Sequence, residues 1–299
     1  MGLRFQTMSV VAGTHICNAS CPFCVSKMTG MRNIASTPEP INELNLGKAI
    51  RLAELSGVTS VLITGKGEPT LYPEHIDAYL AKLSDFPFIE LQTNGWVFGQ
   101  DTYRNLDTFH MLEGWQKAGL TTVLLSNCGP DEELNRSIYF PTATSWRPAF
   151  EDAITKVHDA DLMVRLTTVG IKGGVDTPAK LDDLMRWARS MEVEQVSWRP
   201  VNKPSDVEPD WATVADWVQS NGLSDDEVRA IRDHVDEIGT MVYPLVHGSA
   251  VYDYRGQNLC LANCLTRDAD HPDDDMRQLI FFPDGTLYTS WDLPGSRLL

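Results

Sequence analysis

The chain has 299 residues, with 41 acidic against 25 basic side chains and a formal net charge of -16. That balance repels phosphate backbones and anionic lipid surfaces, which excludes nucleic-acid and membrane-surface binding as primary roles. No apolar run approaches the roughly eighteen residues a bilayer-spanning helix needs, and no charged-then-apolar segment opens the chain, so the six cysteines are expected unpaired in a reducing cytoplasm.

In chain order the first chemical signal is Cys17-Asn18-Ala19-Ser20-Cys21-Pro22-Phe23-Cys24. Structural zinc sites favour two separated cysteine pairs, and disulfide frameworks favour short secreted chains. A Cys-x3-Cys-x2-Cys spacing instead supplies three thiolates and no fourth. A cubane [4Fe-4S] cluster takes one ligand per iron. Three thiolates therefore leave one iron open, and an open position on a metal is where substrate or cofactor binds. A helical pattern follows from Asn42 to Leu55, and the apolar run Ser60-Val61-Leu62-Ile63-Thr64 reads as a buried strand. It exits into Gly65-Lys66-Gly67-Glu68-Pro69, where glycine lets a small ligand approach the backbone and Glu68 offers a carboxylate to an ammonium group.

Strand-like runs recur at Phe88 to Gln92, Thr121 to Leu125, Leu162 to Val169 and Glu194 to Val201. Between and after them lie helical patterns from Thr108 to Ala118, Ala149 to Ala160, Thr177 to Met191 and Ser224 to Ile238. Strand alternating with helix some six times predicts parallel βα units in an α/β fold. Thr93, Asn94, Ser126, Asn127 and Cys128 then stand at the carboxyl ends of strands, where such folds carry their chemistry. After Tyr243-Pro244 the helical pattern stops. Cys260 and Cys264 precede an acidic loop with Asp268, Asp270, Asp273, Asp274 and Asp275, and two apolar runs flank Pro283-Asp284-Gly285, a hairpin signal. The division expected is 1–242 and 243–299.

The cysteine triplet together with Gly65-Lys66-Gly67-Glu68-Pro69 resembles the radical S-adenosylmethionine (SAM) superfamily, over roughly residues 8–240. Lys66 departs from the small residue more usual there, while Gly67, Glu68 and Pro69 stay in register. The resemblance implies a partial (β/α)6 barrel, with the cysteine loop after the first strand. It also implies a [4Fe-4S] cluster on Cys17, Cys21 and Cys24, and SAM held by the Gly65 to Pro69 element through the methionine ammonium. Further implied contacts are Phe23, Val169 and Val201 around the adenine, Ser126 or Asn127 at the ribose, Arg165 at the methionine carboxylate, and Asn94. The C-terminal pair resembles the small auxiliary-cluster extensions of the superfamily, SPASM or twitch. A second [4Fe-4S] cluster there would draw on Cys128, Cys260 and Cys264, the cysteines outside the triplet, and would still lack a fourth ligand.

Within the superfamily the chain resembles the epimerases of aminoglycoside biosynthesis that turn neomycin C into neomycin B. That implies a polycationic substrate, suited to the acidic loop and to Asp206, Glu208 and Asp210, and an electron donor such as flavodoxin or ferredoxin. It also implies a thiol that returns hydrogen to the sugar. Two positions stay open for that thiol: Cys128, or Ala250 in His247-Gly248-Ser249-Ala250-Val251-Tyr252, standing where a cysteine is expected. Competing readings are a radical SAM dehydrogenase of aminocyclitols and a non-catalytic iron–sulfur or zinc protein. A peptide-modifying enzyme would bring a leader-binding domain ahead of the cysteines, which here begin at residue 17.

Overall fold

β1 (Arg4–Val11) leads into the cysteine loop and the short α1 (Val25–Met28). The computed structural model describes residues 4–28, 34–142, 150–201, 212–245, 249–262, 275–291 and 294–299. Next come α2 (Glu43–Leu55), β2 (Ser60–Thr64), α3 (Pro73–Leu83), β3 (Phe88–Thr93) and a small hairpin, β4 (Thr102–Tyr103) with β5 (Leu106–Asp107). The chain continues through α4 (Thr108–Lys117), β6 (Thr122–Asn127), α5 (Glu132–Tyr139), α6 (Phe150–Asp159), β7 (Met163–Gly170), α7 (Pro178–Ser190) and β8 (Gln195–Pro200). It ends with α8 (Ala212–Asn221), α9 (Asp225–Ile238), β9 (Thr240–Pro244), β10 (Ala250–Tyr254), β11 (Gln257–Leu261), β12 (Asp275–Phe281) and β13 (Leu287–Tyr288).

β1, β2, β3, β6, β7 and β8 lie side by side in chain order and pair in parallel, as the strand–helix alternation predicts. Their side chains alternate between two faces. Met8, Val61, Ile89, Val123, Val164 and Val196 point to one face and join a single core with α2, α3, α4, α6, α7 and α9. The opposite, inner face carries Glu90, Leu124, Arg165, Thr167, Ser197 and Arg199. The helices begin where side chains satisfy their free N–H groups: Asn42, Asp107, Asp131 and Thr177 each accept from the backbone three residues on, and Ser224 with Glu227 forms a capping box.

The C-terminal segment continues the same sheet. β12 lies parallel to β1 at one edge and β11 lies parallel to β8 at the other, with β10 and β9 beyond it antiparallel. β12 and β13 form the predicted hairpin around Pro283-Asp284-Gly285. Gly285 takes φ +90, and a Cβ there would lie 2.7 Å from Asn42. The turn thus abuts the start of α2, where Asn42 N–H donates to Pro283 O at 2.9 Å. Among the described residues no helix is long and apolar enough to cross a membrane.

Candidate functional site

The loops leaving the carboxyl ends of β1, β2 and β3 are tied into one body. Glu68 N–H donates to Ile16 O at 3.1 Å, which lays the turn after β2 against the residue preceding Cys17. The approach is closed to any side chain, because a Cβ on Gly67 would sit 2.0 Å from Ile16 O. Gly65 packs on Pro69, which opens a 3-10 turn over Pro69–Leu71.

Glu68 is buried, and its carboxylate is nearly saturated. Oε1 accepts from Thr70 N at 3.0 Å and from the Thr70 and Thr93 hydroxyls at 2.6 Å each. Oε2 accepts from Asn94 N at 2.9 Å. Burial raises its pKa while these four donors pull it down. The Glu68 side chain is therefore a brace between β2 and β3, and a methionine ammonium would meet one vacant side of Oε2 and the neighbouring strand-end carbonyls. Asn94 carries the brace into the cysteine loop. Its amide nitrogen donates to Asn18 Oδ1 at 2.8 Å and faces Cys17 Sγ at 3.9 Å.

Cys17, Cys21 and Cys24 are free thiols, the first exposed and the others half-buried. Burial, then the Glu68 charge, pushes the Cys17 thiol up to about 12, and burial pushes Cys21 higher. Cys24 adds to both shifts, and Cys17 adds to that of Cys21. Among the described residues no three His, Cys, Asp or Glu side chains converge as a preformed metal site. The donor set nonetheless fits iron–sulfur chemistry: three soft thiols stand on one short loop, and a bound metal would hold them as thiolates, reversing the rise at Cys17 and Cys21.

Phe23 leaves this loop into an apolar pocket with Cys128, Tyr139 and Ile171, against which Val169, Val201, Cys21 and Trp217 pack. Its ring meets Tyr139 edge-on at 5.9 Å and Trp217 at 5.7 Å. Phe23, Val169 and Val201 are thus brought together. On β6 Ser126 shares the inner face with Leu124. Asn127 turns to the helix side with Val123 and Leu125, accepts from Thr168 Oγ1 at 2.6 Å, and keeps a buried Nδ2 without a partner. Arg165, on the inner face of β7, pairs through Nη1 with Glu90 Oε2, while Gln92 donates to Glu90 Oε1 at 3.0 Å. The buried Nε of Arg165 has no partner among the described residues.

Among the described residues, Cys128 and Cys260 belong to different clusters. Cys128 is fully buried beside Tyr139 and close enough to Cys21 to raise its pKa. Cys260 belongs to a separate cluster with Val251 and Ala262 on the inner face, where burial raises its pKa and Ser197, Arg165 and Arg199 lower it. Cys264, His247, Asp206, Glu208, Asp210, Asp268, Asp270, Asp273 and Asp274 lie outside the described residues, as does the Asp275 side chain. Ala250 opens β10 and packs on the helix-side core, opposite the face of Val251.

Side chains that were not among the expected contacts complete the site. Thr70 and Thr93 hold Glu68, and Asn18 holds Asn94. His75 Nδ1 accepts from Gly13 N at 3.1 Å where β1 enters the loop. The Lys66 ammonium lies 5.0 Å over the Trp291 ring, linking the turn after β2 to the C-terminal segment.

Comparison with solved structures places the chain among proteins of one fold. SuiB of Streptococcus suis, bound to S-adenosylmethionine, superposes with a TM-score of 0.58 at 17% identity over 97% of this chain and 61% of its own. The chain thus spans about three-fifths of the length of that relative. anSMEcpe with bound AdoMet gives 0.60 at 13% identity, covering 98% and 74%, and a radical SAM methyltransferase from Sphaerobacter thermophilus gives 0.55 at 17%, covering 86% and 67%. No curated protein matches the sequence. Residues 11–188, more than half of the chain, match the family described as the radical SAM superfamily, and to that superfamily the chain belongs.

Proposed function

We propose that the protein is a radical SAM epimerase that inverts one sugar carbon of a polycationic aminoglycoside, as in the conversion of neomycin C to neomycin B. The observation that supports SAM chemistry is the joining of the cysteine loop to the Gly65 to Pro69 turn through Ile16 and Asn94. The net charge of -16 supports a polycationic substrate. When bound, a [4Fe-4S] cluster supplies the electron that cleaves SAM into methionine and a 5′-deoxyadenosyl radical, an electron that flavodoxin or ferredoxin would deliver.

The chain's own residues have separate tasks in this reading. Cys17, Cys21 and Cys24 hold iron, the turn after β2 takes the methionine ammonium, and Arg165 takes the carboxylate while Glu90 holds it in place. Phe23, Val169 and Val201 exclude water around the adenine, and Ser126 is the β6 residue on the ribose side. Inversion removes one C–H hydrogen and returns another to the opposite face, which requires a weak X–H bond such as a thiol. The proposed donor is one of the two positions the resemblance leaves open, Cys128 or a cysteine at 250.

The test is anaerobic incubation with SAM, dithionite and neomycin C in deuterated water, using the chain as it stands, Ala250→Cys and Cys128→Ala, with Cys260→Ala kept for iron analysis. A 5′-deoxyadenosine product with an inverted, singly deuterated antibiotic supports the reading, and the variant that gains or loses inversion identifies the donor. Loss of two hydrogens from the substrate would make the protein a dehydrogenase. Absence of nucleoside would overturn the substrate. An auxiliary cluster on Cys260 and Cys264 would show as a second iron complement that disappears in Cys260→Ala.

A further inference from the structure

We infer that Asn94 raises the reduction potential of the cluster on the cysteine loop by donating an N–H to the Cys17 sulfur; the inference rests on Cys17, Cys21 and Cys24 as the ligands. The orientation of the Asn94 amide is settled by its neighbours. Oδ1 accepts from Trp96 N at 3.0 Å, so Nδ2 must face the loop. That nitrogen has two N–H bonds. One goes to Asn18 Oδ1 at 2.8 Å, and the other has Cys17 Sγ as its acceptor at 3.9 Å. The backbone is fixed as well, since Asn94 N donates to the buried Glu68 carboxylate at 2.9 Å. Only 8% of Asn94 is exposed, so the donor is held in place while the Cys17 residue it faces is exposed.

Cys17 also receives Ala19 N–H at 3.3 Å. Among the described residues, Asn94 is the side chain that donates to a sulfur of this loop. Hydrogen bonds to ligand sulfurs set cluster potentials: the reduced cluster carries one more negative charge, a donor stabilises it more than the oxidised form, and the potential rises. Asn94 is therefore a positioning and tuning residue. It makes the cluster easier to reduce, at the cysteine that the turn after β2 already holds.

Two measurements on the reconstituted full chain test this. In an EPR-monitored redox titration, Asn94→Ala shifts the midpoint potential to more negative values with iron content unchanged. Asn94→Asp, which keeps the acceptor for Trp96 N but has no N–H, shifts it the same way. A wild-type potential in both variants overturns the inference. In the unmutated protein labelled with 15N-asparagine, ENDOR of the reduced cluster shows coupling to a side-chain amide nitrogen and its exchangeable proton, and absence of both also overturns it. Failure of the ligand assignment would look different: Cys17→Ala, Cys21→Ala and Cys24→Ala would keep their full iron.

Discussion

Gly67 lies so close to Ile16 that no Cβ fits between them, the nearest atom being the Ile16 carbonyl oxygen at 2.0 Å from where that Cβ would stand. The same oxygen accepts the Glu68 N–H. The contact is backbone on backbone, so a substituent cannot be relieved by a rotamer change. Gly67→Ala is expected to push the cysteine loop off the turn, with loss of most of the reconstituted iron. Gly65→Ala meets Gly67 O at 3.0 Å and the Pro69 ring at 3.1 Å and should retain more. Iron and sulfide analysis of the two variants checks the order.

The Glu68 brace makes a sharper prediction. Glu68→Gln must place its NH2 at one of two oxygens. Oε1 already accepts three hydrogen bonds, so the NH2 takes the Oε2 position, where it opposes the Asn94 N–H. A buried donor left without an acceptor costs about 1–3 kcal/mol. The expected result is a melting temperature lower by several degrees and weakened iron retention, measured by thermal unfolding before and after reconstitution. Thr93→Val removes one of three donors to Oε1 and also the acceptor of the buried Gly95 N–H at 3.0 Å, so it should cost a comparable amount.

Much of the frame was legible in the sequence because its signals are local. The run Ser60 to Thr64 matches β2 residue for residue, and the helices expected from Asn42, Thr177 and Ser224 start one residue after those caps. The cysteine spacing and the Gly65 to Pro69 turn are equally local. What stayed hidden depends on partners far along the chain. Nothing in the apolar run Leu279 to Phe282 says that β12 pairs in parallel with β1. Cys128 and Cys260 look interchangeable as sulfur donors, yet one falls beside Tyr139 and the other on the inner face beside Ser197. α3, which opens at Pro73 with no side-chain cap, is not among the expected helices. Asn18, Thr70 and His75 acquire roles only through contacts that folding creates.

The Glu90–Arg165 pair sets the guanidinium that the proposed mechanism assigns to the methionine carboxylate. Glu90 is almost wholly buried, while the Arg165 side chain is 34% exposed. Glu90→Gln keeps a hydrogen-bond acceptor but removes the charge that orients Arg165. Solvent at Arg165 tempers the loss below the roughly 3–5 kcal/mol of a fully buried broken pair. About tenfold weaker SAM binding is expected, about 1.4 kcal/mol, with iron content unchanged. Calorimetric titration of the reconstituted protein with SAM measures it, and Arg165→Met should lose more than Glu90→Gln.

His75 makes the entry to the cysteine loop sensitive to acid. Its Nδ1 accepts the Gly13 N–H at 3.1 Å, which only the neutral ring can do, and burial lowers its pKa against the opposing influence of Glu74 and the Glu39 backbone. A histidine whose folded pKa lies below its unfolded value of about 6.5 contributes stability that is complete above that value. The contribution is lost as pH falls through the lower folded value, because the unfolded chain then binds the proton more readily. The Gly13 amide is the reporter: its hydrogen-exchange protection, corrected for intrinsic rates, should decline as pH falls below about 6.5. Gly13 itself, at φ +73 with its would-be Cβ 2.0 Å from the Tyr72 ring, admits no side chain that could hold the turn in its place. His75→Asn offers an uncharged acceptor at nearly the same position and should flatten the pH dependence. A decline of equal steepness in that variant would assign the acid sensitivity to other groups.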